Sequence, residues 1–182
     1  MTIAHDFIPS TEAEMAECLS DPMWRICSGQ LYQIMVKTAD GAGESVVPFI
    51  PNAAQRRLIK RLWHRNIILK ARQLGFTTLV AILWLDHALF NADQRCGIIA
   101  QAREAAEVIF RDKVKFAYDR LPEALRQAMP LGRDSASELL FAHNNSSIRV
   151  ATSMRSGTLD RLHVSEFGRI CAKYPEKATE VI

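Results

Sequence analysis

The rhythm of apolar and polar positions changes near residue 66 and divides the chain into two styles of folding. Before that point the pattern is mixed. A short helical spacing runs through Ser10–Leu19, with Ser10 or Thr11 placed to cap it and Glu14 three residues on from Thr11. LYQIMVK (31–37) and ESVVPFI (44–50), separated by the turn residues DGAG, read as two strands. In PNAAQRRLIKRLWHR (51–65), Ala54, Leu58, Ile59 and Leu62 fall on one face of a helix and the arginines on the other.

Beyond residue 66 the elements alternate. IILK (67–70) is a short apolar run and predicts a buried strand. TTLVAILWLDHALF (77–90) is apolar nearly all round, the signature of a buried helix. CGIIA (96–100) is a second strand, and AREAAEVIFRDKVKFAYDRL (102–121) a long amphipathic helix ended by Pro122. ELLF (138–141) and SIRVA (147–151) form a hairpin, and RLHVS (161–165) is a last strand before EFG. Strands alternating with helices predict an α/β domain, a mainly parallel sheet with flanking helices. The expected division is a small N-terminal helical and strand extension over 1–45 and a core over 46–182.

Composition narrows the class. With 182 residues and 48% hydrophobic content the chain can bury one proper core. No run of 18 apolar residues is free of charge, so no membrane span is expected, and MTIAHDFIPSTEAEM lacks the basic start and apolar core of a signal peptide. Cys18, Cys27, Cys96 and Cys171 are widely spaced without a CxxC pair. They read as reduced thiols of a cytosolic protein, with neither disulfide framework nor zinc site. Charge is uneven: from Ser45 to Leu85 stand Arg56, Arg57, Lys60, Arg61, Arg65, Lys70 and Arg72, with no Asp or Glu. This stretch is a candidate anion-facing surface, and weak, salt-sensitive, sequence-independent DNA binding is expected of its 56–65 face. A solvated helix face or a contact with a neighbouring subunit gives the same pattern.

The candidate chemistry centres on KARQLGFTT (70–78). A phosphate-binding loop leaves a buried strand, opens a helix, and places Gly-Lys-Ser/Thr at its end. Gly75 and Thr77 stand where that pattern wants them, but Phe76 replaces the lysine and Lys70 occupies the first glycine's position. Such a loop (Lys70, Ala71, Arg72, Gln73, Leu74, Gly75, Phe76, Thr77, Thr78) brings its first and last residues beside the phosphates. Lys70 can then supply the ammonium from the front, and Arg72 a guanidinium fork. Thr77 is placed to hold Mg²⁺, and Thr78 to contact an inner phosphate. Hydrolysis also needs carboxylate chemistry at the end of a neighbouring strand. RLHVSEFG supplies Glu166 to polarise water, preceded by Ser165 in place of the usual Asp. Ser165 offers only a hydroxyl for the metal. Asp160 does not readily replace it, since five strand residues span about 16 Å. His163 reads as a core histidine rather than a metal partner of Glu166. Gln55 lies in a helix before the loop, where a glutamine amide can read adenine; the alternative is a surface glutamine.

PNAAQRRLI, NIILKARQLGFTTLVAI, CGIIAQAREAAEVIF, LPEAL and SSIRVATSMRSGTLDRLHVSEFGRI together resemble the large terminase subunit of tailed bacteriophages, from about Phe49 to Ile170. Order and spacing agree across all five segments, and some members of that family carry the loop lysine at the front or Ser before the glutamate. The resemblance implies a RecA-like P-loop NTPase, an ATP-driven motor that moves viral DNA into a procapsid, with ATP and Mg²⁺ as cofactors. By position, Gln55 would read adenine, Lys70 to Thr78 would hold the phosphates, and Arg72 would be a catalytic arginine in cis. Glu166 would activate water, with Thr77 and Ser165 at the metal. Arg155 and Gly157 stand where the family often has an arginine-glycine pair, but Ser156 intervenes and they are given no role. Implied partners are double-stranded DNA, the small terminase subunit, the portal protein and further copies in a ring, in the host cytoplasm and without a membrane. The family's coupling motif and RNase H-like nuclease do not fit after Ile170, so slow ATP turnover and no DNA cleavage are expected. The alternatives are a helicase-like nucleic-acid-dependent ATPase, or a truncated non-catalytic remnant that binds DNA or phage proteins.

Overall fold

The computed structural model of the chain describes residues 3–38, 43–69, 74–154 and 157–181. The N-terminal part opens with α1 (Glu12–Ser20), set by a reciprocal cap between the side chains of Thr11 and Glu14. α2 (Pro22–Cys27) starts at Asp21, whose carboxylate accepts from Met23 N at 2.8 Å, with Pro22 in the first turn where its missing N–H costs nothing. β1 (Gln33–Lys37) and β2 (Glu44–Pro48) then pair antiparallel, Met35 opposite Val46. The cap, both strands and their pairing agree with the sequence reading.

α3 (Ala53–Ile59) is shorter than its apolar stripe suggests. It ends because the Asn66 side chain accepts from Trp63 N at 3.0 Å and donates to Trp63 O, drawing in backbone groups that further helix would have used. The buried strand expected at 67–70 is not there. Residues 66–69 form no strand, Ile67 and Leu69 are fully exposed at 101% and 100%, and Lys70 lies outside the described residues. Three apolar residues do not hold a strand by themselves; a strand is stabilised by its neighbours, and no described strand pairs with this segment.

α4 (Phe76–Phe90) is the centre of the molecule, with Leu79, Ala81, Ile82, Leu85 and Ala88 wholly buried. It leads into β3 (Arg95–Ile99). The long helix that follows is continuous but not uniform: α5 (Arg103–Ile109), a π-helical turn over Phe110–Lys115, and α6 (Phe116–Asp119). α7 (Glu123–Ala128) precedes a three-strand meander of β4 (Leu131–Asp134), β5 (Glu138–Phe141) and β6 (Ser147–Ala151). β7 (Arg161–Val164), α8 (Phe167–Lys173) and α9 (Pro175–Val181) close the described chain. The sheet order is β4-β5-β6-β3-β7: β3 is parallel to both β6 and β7, while β4-β5 and β5-β6 are antiparallel. The protein is therefore α/β with a mixed five-stranded sheet flanked by helices.

Alternation along β3 places helices on both faces. Cys96 and Ile98 join the large core with α4, Val114 and Phe141, whereas Ile99 joins Ile170 and Ala178 on the opposite face. The crossover from β6 to β7 passes over β3 at Gly97. A Cβ there would meet Met154 Sδ at 2.5 Å and Leu159 Cδ1 at 3.2 Å, so the strand needs a glycine where the connection lies on it. The N-terminal segment shares the main core through Ile26, Cys27, Leu31 and Tyr32. It is also tied to α4 by buried polar groups. Arg25 Nε and Nη2 donate to the Asp86 carboxylate at 2.8 Å each, Tyr32 Oη donates to Asp86 Oδ1 at 2.8 Å, and the guanidinium lies 3.9 Å from the Phe90 ring centre. Among the described residues no helix is long and apolar enough to cross a membrane.

Candidate functional site

Gly75 turns the chain into α4. Its φ of +69° lies in the left-handed region, open to glycine at little steric cost. As N-cap it offers no side chain to the first-turn amides, which must find partners outside the helix. α3 holds this turn from behind. Asn52 and Gln55 cap α3 reciprocally: Gln55 N donates to Asn52 Oδ1 and Asn52 N to Gln55 Oε1, both at 2.9 Å. The other ends of the two amides reach the loop, Gln55 Nε2 donating to Gly75 O at 2.9 Å and Asn52 Nδ2 to Leu74 O at 3.4 Å. Gln55 is buried, not the surface residue its alternative reading allowed. The resemblance implies adenine recognition for it; in the structure both ends of its amide are engaged within the protein, with Asn52 N and Gly75 O.

The same packing makes Gly75 intolerant of a side chain. A Cβ would stand 2.8 Å from Gln55 Nε2, whose position is fixed by bonds at both ends of the amide. Gly75→Ala is expected to lower stability by about 1–2 kcal/mol from the left-handed backbone alone. Chemical denaturation measures this. A substitution that leaves the midpoint unmoved would show that the turn is not held as described.

Across from the loop, β7 delivers Ser165. Its N–H donates to Ile99 O at 2.8 Å, which fixes it one residue past the strand at the carboxyl end of the parallel segment, where open α/β sheets place ligands. Ser165 is buried, and its Oγ lies 3.3 Å from Thr77 Oγ1 in the first turn of α4. Two residues 88 apart in sequence, both read as metal-side hydroxyls, thus meet across the helix and the strand end. Glu166 follows as the N-cap of α8, exposed, with φ +58° and ψ +40°. A left-handed backbone at a residue with a Cβ is held in place by its surroundings at some cost, and such residues cluster at functional sites. Asp160 is committed at the other end of β7, where Oδ2 accepts from Arg95 N at 2.7 Å. His163 is half-buried on β7. Among the described residues no three His, Cys, Asp or Glu gather into a metal cluster.

Thr78, the other hydroxyl of the first turn, accepts from Lys113 Nζ at 3.0 Å. Sequence reading passed over Lys113, one of many charges on a long amphipathic helix. It lies within a π-helical turn, which local propensity does not announce. Lys70, Ala71, Arg72, Gln73 and Arg155 lie outside the described residues, and so the phosphate lysine and the cis arginine of the sequence reading have no described geometry. The site therefore consists of a glycine turn braced by Asn52 and Gln55, a first helical turn carrying Thr77 and Thr78, and a strand end carrying Ser165 and Glu166. No family model matches the sequence, and no curated protein matches it either.

Proposed function

We propose that the chain is the ATP-hydrolysing motor domain of a viral DNA-packaging terminase, built on a RecA-like P-loop core. The observation that carries this reading is the 3.3 Å approach of Thr77 Oγ1 to Ser165 Oγ, because it joins the loop-and-helix half of a nucleotide site to the strand-end half that bears Glu166. The five-segment resemblance to the large terminase subunit supports the same conclusion from the sequence.

The residues present fit a magnesium-nucleotide complex. Magnesium takes oxygen ligands, mostly from water and substrate phosphates with one or two from protein, and the Thr77 and Ser165 hydroxyls are oxygens of that kind though without the usual carboxylate charge. Bound Mg²⁺ would neutralise charge on the outer phosphates. The described groups contribute from where they stand, the loop cations as the resemblance places them. The first-turn N–H groups of α4 face an anion with the positive end of the helix dipole. By the resemblance, Lys70 and Arg72 would add full charges where negative charge grows during phosphoryl transfer. Thr77 and Ser165 would hold the metal, directly or through its water. Glu166 orients the attacking water and accepts its proton. The basic 56–65 face supplies attraction for the double-stranded DNA being moved, with the small terminase subunit, the portal and further copies of the chain as partners in the host cytoplasm.

The test is nucleotide binding by calorimetry with the parent and Lys70→Ala. The parent binds Mg-ATP, and losing a charge-assisted bond weakens binding about ten- to hundredfold. Equal binding by both would overturn the assignment of Lys70. A parent that binds no nucleotide would overturn the ATPase reading itself.

A further inference from the structure

Lys113 carries a charge at a place that disfavours one. Its ammonium is half-buried beside the first turn of α4, where the positive end of the helix dipole repels cations. Burial lowers its pKa from the usual lysine value, with Asp112 alone pulling the other way. Lys115, two residues on, pairs with Asp119 and Asp134 at 2.8 Å each. Among the described residues Lys113 has no such carboxylate; its hydrogen bond goes to the neutral Thr78 hydroxyl.

We propose that Lys113, with Thr78, binds the inner phosphate of the nucleotide. The inference rests on the nucleotide-binding reading above and assigns a group of the ligand to a residue outside the loop. Lys113 Nζ has three donors, and one of them is used on Thr78 Oγ1. Because that oxygen accepts from Lys113, the Thr78 proton is left to donate elsewhere. An ammonium and a hydroxyl thus converge at the start of a helix, and an anion there relieves both the buried charge and the exposed helix end. The π-helical turn over Phe110–Lys115 is consistent with the assignment: such turns recur at functional sites, and this one carries the lysine that meets Thr78. A lysine that merely braces two helices has the same bond but a different energetic consequence, and that difference makes the proposal testable.

The experiment measures ADP and ATP affinity in the presence of Mg²⁺, and melting temperature without nucleotide, for the parent, Lys113→Met, Lys113→Arg and Lys70→Ala. Lys113→Met should weaken ADP and ATP by the same factor, about tenfold, the effect of one charge-assisted bond. Its melting temperature should stay level or rise, because a half-buried unpaired charge has been removed. Lys113→Arg should keep most of the affinity. Lys70→Ala should discriminate, weakening ATP more than ADP. Unchanged ADP affinity in Lys113→Met, or a melting temperature that falls along with affinity, overturns the proposal. A loss confined to ATP would move Lys113 to the outer phosphates and overturn the inner-phosphate assignment. If the parent binds neither nucleotide while folding normally, the nucleotide-binding reading fails first and this inference fails with it.

Discussion

Glu166→Gln leaves nucleotide affinity unchanged and lowers ATP turnover by about 10²–10⁴-fold, the range associated with a positioned acid–base group. Glutamine keeps the size of the side chain and one oxygen to accept a hydrogen bond, but it cannot take a proton from water. The backbone argument makes this substitution cleaner than most. Residue 166 sits at φ +58° as the N-cap of α8, and glutamine carries the same backbone demand as glutamate, so the local fold is retained. Phosphate release at saturating ATP, with binding measured in parallel, separates the two effects. Turnover within a few-fold of the parent would remove Glu166 from the chemistry. Weakened binding with proportionate loss of turnover would make it a binding residue.

The second large effect is on stability and lies at the other end of α4. Asp86→Ala should cost about 3–5 kcal/mol, the usual penalty for leaving one half of a buried ion pair without its partner. Arg25 and Asp86 are each about 4% exposed in their side chains, so solvent cannot repair the loss. Arg25 would keep only its bond to Leu19 O and its stacking on Phe90, and the Tyr32 hydroxyl would lose its acceptor. Replacing the group as a whole, with Arg25→Met, Asp86→Leu and Tyr32→Phe, should recover much of the deficit because no polar group is stranded. Denaturant titration of the single and triple variants measures the difference. A single variant that loses less than about 1 kcal/mol would mean the triad is solvated or replaceable, contrary to the burial described here.

The sequence made the local decisions legible and the long-range ones only in part. The Thr11–Glu14 cap, the β1–β2 pair, α4, β3, the β5–β6 hairpin and β7 all follow from periodicity and turn chemistry within a few residues, and the structure has them. The short apolar run at 67–69 failed because a buried strand is made by its neighbours, which no local pattern records. β4 was missed for the related reason that LGRD is a polar strand held by its partner β5. At the site, Thr77 and Ser165 were each singled out by position, but their 3.3 Å approach depends on how α4 docks beside the end of β7, which neither segment records. Gln55 was readable as a residue of interest, but its bond to Gly75 O was not, since that depends on how α3 docks. Lys113 and the Arg25–Asp86–Tyr32 group were invisible for a stronger reason. Each depends on residues far apart in sequence, and nothing in a lysine or an aspartate announces which helix it will face.

The apolar side chains at the margin of the described sheet have a consequence for how the protein behaves in a tube. β7 pairs with β3 on one side only within the described sheet, Leu162 on it is 40% exposed, and Ile67 and Leu69 stand fully in water. Exposed apolar side chains such as these lower the cost of an encounter with another chain. Self-association that grows with concentration is therefore expected to start at these side chains rather than in the well-packed centre around α4.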